Sequence, residues 1–182
     1  MTESSTKSRD KNDRAKGFVL SLIARCKEDK GLAARLRRAD NPATEYQSWE
    51  TLAGFGISLE MEDIRLPYAT IAAFIARQKP EDNRVIAMGT ALAQCYPKKE
   101  EGKNGPAKAK LRRLLACADT PEACRILRPI LTLIQSRVGG PIDYARLLSQ
   151  LLSFHWRPER IKTQWAQEFY GAVADVGEGE VV

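Results

Sequence analysis

The sequence predicts an all-α protein, a compact multi-helix molecule built from two small helical sub-bundles. Three observations predict it. Apolar residues recur at helical spacing in nearly every segment of the 182-residue chain, and no stretch alternates as a half-buried strand would. Prolines and Asx residues fall where helices would start or stop. One charged stretch almost without apolar residues, 97–106 (PKKEEGKNGP), reads as a linker that divides the chain.

Residues 1–12 are polar and charged, and are expected to form a disordered N-terminal extension. The N-terminal bundle is expected over 13–96. Its first helix, 13–28, carries Phe18, Leu22 and Cys26 at i, i+4 and i+8, with Val19 and Ile23 beside them. A turn at Asp29-Lys30-Gly31 leads to a short basic helix, 32–38. Asp40-Asn41-Pro42 stops it and starts the next, with Asn41 as a possible cap. That next helix, 43–52, puts Tyr46, Trp49 and Leu52 at i, i+3 and i+6, and Gly54-Phe55-Gly56 ends it. Residues 57–64 read as a connector. Pro67 opens an apolar helix over 68–78, rich in Ala and Ile. After a turn at 80–83, the segment 85–96 reads as a helix whose small residues suit close packing on a neighbour.

The C-terminal bundle is expected over 107–173. In its first helix Leu111, Leu114, Leu115 and Ala118 share one face, at i, i+3, i+4 and i+7. Asp119-Thr120 breaks the chain and Pro121 restarts it. Pro129 lies inside the following apolar run and should kink or divide it. Pro141 and Pro158 each stand where a helix could begin. After the first, Tyr144, Leu147, Leu148, Leu151 and Leu152 form one stripe; after the second, Ile161, Trp165, Phe169 and Ala172 do. Residues 174–182 form an acidic tail.

Hydrophobic residues are 43% of the chain and charged ones 29%, an ordinary globular balance. No apolar run could span a bilayer, and the N-terminus lacks a secretory h-region, so a cytoplasmic protein without a membrane partner is expected. The four cysteines (Cys26, Cys95, Cys117 and Cys124) show no C-x-x-C spacing and sit away from the single His155, which argues for reduced, buried thiols and against zinc. No phosphate-cradling glycine motif occurs. His155 comes without a nucleophile motif and reads as structural. The acidic groups Glu60, Glu62 and Asp63, and Glu100 with Glu101, lie in polar connectors without a second carboxylate motif. No catalytic residue, metal site or cofactor is expected.

What the sequence does show is unevenly placed basic charge within a net charge of +6. Arg35, Arg37 and Arg38 crowd the short second helix. Lys110, Arg112, Arg113, Arg125, Arg128 and Arg137 crowd residues 106–137 against only Asp119 and Glu122. Arg112 and Arg113 point away from the apolar stripe of their helix. A basic helical face of this kind suits a polyanion. These nine positions are the candidate nucleic-acid-binding residues.

Several segments in order carry a family resemblance: ARLRRADNP (34–42), YQSWE (46–50), GTALAQCY (89–96), KLRRLLACAD (110–119), ILRPIL (126–131), IDYARLLSQLLSFHW (142–156) and RIKTQWAQEFY (160–170). Together they resemble the CasB family, the small subunit of the type I-E CRISPR surveillance complex Cascade, over roughly residues 17–171. The resemblance implies an all-helical, non-enzymatic subunit, paired with a second copy of itself. Its partners would be the backbone and large subunits of the crRNA-containing complex and the non-target strand of target DNA. The family's basic positions carry over to Arg37, Arg38, Arg112, Arg113 and Arg128, with Arg125 near a further one. Pro129 stands where many relatives have another arginine. The alternative from another class is a dimeric helix-turn-helix regulator in residues 32–52, where Asn41-Pro42 interrupts the required tight turn and recognition helix.

Overall fold

The computed structural model describes residues 3–96 and 105–178. Met1, Thr2, residues 97–104 (most of the expected linker, with Glu100 and Glu101) and residues 179–182 lie outside the described residues. Among the described residues there are nine α-helices, a short 3-10 helix (Glu45–Ser48) and no strand. The helices are α1 (Glu3–Glu28), α2 (Lys30–Leu36), α3 (Trp49–Gly54), α4 (Glu62–Gln78), α5 (Met88–Gln94), α6 (Gly105–Leu115), α7 (Thr120–Val138), α8 (Tyr144–Phe154) and α9 (Pro158–Glu178). None is long and apolar enough to cross a membrane.

The helix α4 organises the core. It is buried without a break from Pro67 to Ala76, apolar on every side, as an interior helix must be. Around it pack α1, α2, α3, α7 and α8. The principal helix pairs cross the linker: α4 on α7, α1 on α8, and α5 on α9. The two halves therefore share one continuous apolar cluster, which runs from Ala15 to Phe169. At the α5–α9 contact the small residues do what their composition suggests. A Cβ on Gly89 would stand 2.6 Å from the carbonyl oxygen of Trp165, so only glycine permits this approach. Trp165 is fully buried, stacked on Phe154, and its indole N–H donates to Gln150 (2.9 Å).

Element boundaries depart from expectation at several places. The first helix begins at Glu3 and runs through most of the segment expected to be disordered. At the other end α9 continues to Glu178, into the acidic tail. Pro67 does not open α4 but sits in its second turn, where the missing amide costs one hydrogen bond near an end. Pro129 does not divide α7, which stays continuous to Val138. The helix expected over 85–96 is shortened, because Ile86 accepts a hydrogen bond from the Asp143 amide (2.8 Å) and so stays extended. α6 ends at Leu115, so Cys117 turns inward and Ala118 outward.

The largest reversal concerns residues 43–52. In a 3-10 helix, positions i and i+3 eclipse. Glu45 and Ser48 fall on the inner side and are buried, while Tyr46 and Trp49 face out at 61% and 40% exposure. The buried pair is satisfied: Arg65 Nε donates to Glu45 at 2.6 Å, and Ser48 Oγ donates to the Glu45 carbonyl at 2.7 Å. Of the expected stripe only Leu52 enters the core.

Candidate nucleic-acid interface

Three short sequence devices present the basic residues. In α2, Asp29 caps the N-terminus by accepting from the Leu32 amide (2.9 Å), a bond that also holds its carboxyl below the usual range. Leu32, Ala33 and Leu36 then anchor the inner face, leaving Arg35, Arg37 and Arg38 exposed. In α6, Ala107, Leu111 and Leu114 are buried, which turns Arg112 and Arg113 to solvent and leaves Lys110 half-buried. In α7, the Asp119 carboxylate accepts from the Glu122 amide (2.7 Å) while the Glu122 carboxylate accepts from the Ala118 amide just before the cap (2.8 Å), so the two brace the helix start. That cap sets the helix register that points Arg125 outward.

The structure brings some candidates together. Lys110 and Arg113 of α6 and Arg125 of α7 line one cleft of about 140 Å³, whose remaining walls are Ile126, Pro129 and Ile130. The cleft thus has a cationic rim over an aliphatic floor. Arg125 has one loose counter-charge, Glu122 at 3.8 Å. Arg112 projects from the neighbouring face of α6.

Arg128 lies one turn along α7 and is placed differently. It is half-buried, and its Nε faces Asp40 at 3.9 Å, too far for a hydrogen bond. Asp40 itself is buried and accepts from both terminal guanidinium nitrogens of Arg77, at 2.7 Å from Nη1 to Oδ2. Arg77 also donates to the Arg37 carbonyl (2.8 Å). The Asp40 knot thereby ties the end of α2 to α4 and α7. Through Arg77 it also links the Arg37 carbonyl to the carboxylate that Arg128 faces. Arg137 stands apart, about 18 Å along α7 from Arg125 at 1.5 Å per residue, with its guanidinium over the Tyr96 ring (5.3 Å).

Asp40 was read from the sequence only as part of a helix stop, and its partner Arg77 went unremarked. An acidic residue two positions after an arginine pair was the available signal for the knot. Among the described residues no carboxylate lies within ion-pair distance of Arg35, Arg37, Arg38, Arg112 or Arg113.

The other candidate chemistries find less support in the geometry. His155 caps α8 and its Nδ1 meets Asp63 (3.1 Å), so it joins the end of α8 to the start of α4. Glu62 pairs with Arg65 at 3.4 Å. Among the described residues no group of three His, Cys, Asp or Glu side chains could hold a metal ion. The four thiols are free and buried; burial pushes Cys95 and Cys117 up to about 11 and Cys124 to about 12. Residues 32–52 contain only the seven-residue α2, the 3-10 helix and the six-residue α3, and thus no helix of recognition length.

Comparison with known proteins agrees with this architecture. The family model of CRISPR-associated protein Cse2 matches residues 32–170. The chain resembles CasB from M. ruber at 25% identity and a TM-score of 0.72, covering 92% of this chain and 98% of that one. It resembles a chain of a CRISPR RNA-guided surveillance complex at 16% identity and a TM-score of 0.72, covering 92% and 97%. CasB from Thermus thermophilus is 22% identical with a TM-score of 0.64, covering 86% of this chain and 97% of that one. No curated protein sequence matches the chain.

Proposed function

The chain belongs to the CRISPR-associated Cse2 family, and from that membership we propose that it is the non-catalytic small subunit of a type I-E Cascade surveillance complex. In this role it docks on the backbone and large subunits of the crRNA-containing complex, beside a second copy of itself, in the cytoplasm. Its arginine band holds the displaced non-target strand and so stabilises the R-loop.

One observation supports the reading: arginines in and just after α2, on α6 and on α7 are exposed, most of them without a carboxylate in ion-pair distance among the described residues, and together they would serve as one band. The energetics make such a band sufficient. Opening a target is close to balanced, because the heteroduplex formed is about as stable as the duplex it replaces. A modest attraction for the freed strand then shifts the equilibrium. Arginine offers a fixed fork of donors to phosphate oxygens, and phosphate contact holds a strand whatever its sequence.

The test is a complex reconstituted with Arg112→Ala and Arg113→Ala together. R-loop formation is expected to weaken, and the salt dependence of strand binding to become shallower by about 0.7 per lost phosphate contact. Unchanged R-loop formation by a complex that assembles normally would contradict the reading.

A further inference from the structure

We propose that the cleft between α6 and α7 is a pocket for one unstacked nucleobase bearing an exocyclic amine, with cytosine as the fitting case. The inference rests on the reading of the chain as a strand-binding subunit and deepens it. Phosphate contacts along the band are blind to sequence, whereas this pocket adds a bias at one nucleotide.

The cleft holds about 140 Å³, the volume of about five water molecules and hence of a single ring. Its floor is Ile126, Pro129 and Ile130, and its rim is Lys110, Arg113 and Arg125. A phosphate alone has no use for an aliphatic floor. A nucleotide uses both parts: the ring lies on the apolar surface and the phosphate meets the rim.

Pro129 supplies the polar handle. Proline has no amide hydrogen, so the carbonyl of Arg125, four residues before it, receives no helical hydrogen bond from position 129. The proline ring also crowds that carbonyl and tilts it off the helix axis. Both residues line the cleft; in the proposed pocket the Arg125 carbonyl is the acceptor among the cationic donors. Cytosine matches this pattern. Its N4 amine donates to the Arg125 carbonyl, while its N3 and O2 accept from the rim. Thymine sets its single ring N–H between two carbonyl oxygens, which would then face the Arg125 oxygen.

The experiment uses the full chain with isotope-labelled isoleucine methyls, titrated separately with deoxycytidine monophosphate, deoxythymidine monophosphate and inorganic phosphate. The cytidine nucleotide is expected to move the Ile126 and Ile130 methyl signals. The thymidine nucleotide is expected to bind about fivefold more weakly, the worth of one net hydrogen bond. Phosphate at the same concentration should leave the methyls in place. In Pro129→Ala the restored amide closes the helical bond to Arg125, so cytidine binding should fall to the thymidine level in a folded protein. Equal affinity for the two nucleotides, methyls silent to both or moved equally by phosphate, or a Pro129→Ala variant that keeps the difference would each overturn the pocket. None of these readouts involves a displaced strand. A complex that forms R-loops without touching the strand through this subunit would remove the proposed role and leave the titration legible.

Discussion

Arg125 and Arg128 stand one turn apart on α7 and meet opposite surroundings. Arg128 turns in towards Asp40, a buried carboxylate already held by Arg77. Arg125 turns out, 73% exposed in its side chain, to share a cleft with Lys110 and Arg113. The difference lies in what each would leave behind. A buried carboxylate stripped of partners is costly, so the Asp40 knot is a structural device. Exposed cations in water need no partner, and crowding them together gains the fold nothing. Like charges held side by side without stabilising the molecule indicate a use outside it.

Five variants break or sharpen that contrast. Trp165→Ala sets the scale, because Trp165 touches neither arginine group and is fully buried. It should cost about 3–5 kcal/mol, read from chemical denaturation, and an unaltered midpoint would contradict its burial. Asp40→Ala strips Arg77 and Arg128 of their counter-charge and should cost about 3 kcal/mol, the low end for a broken buried pair because Arg77 is one-third exposed. Arg128→Ala leaves Asp40 with Arg77 and should cost about 1 kcal/mol, whereas Arg125→Ala should stay within about 0.5 kcal/mol. If the two arginines cost the same, the contrast fails. The smallest effect on stability is expected for Arg112→Ala with Arg113→Ala, again within about 0.5 kcal/mol, since neither side chain enters the core. A large loss there would mean that these residues hold the fold rather than a strand.

Much of the fold was legible because helical period and capping residues agree locally. The break at Asp119-Thr120, the Trp165 and Phe169 stripe and the close-packing small residues around Gly89 all stand where the sequence placed them. The failures share a cause. A 3-10 helix has a period of three, so a stripe read at 3.6 turned Tyr46 and Trp49 inward when they face out. Proline position misled at Pro67, which sits in the second turn of α4 rather than opening it, while at Pro129 α7 runs on undivided. The basic face of α6 was legible from its own periodicity. The Asp40 knot was not, because Arg77 arrives from 37 residues away and only the tertiary fold joins them. The cleft was hidden for the same reason, since its walls come from two helices.

The most direct test of the central claim is photo-crosslinking in the assembled complex on target DNA, with the probe carried at position 113, 125 or 77 of this subunit. Crosslinks to the displaced strand from 113 and 125, and none from 77, are the predicted result. Crosslinks only to neighbouring protein subunits from 113 and 125 would contradict the account and make the arginine cleft an assembly surface.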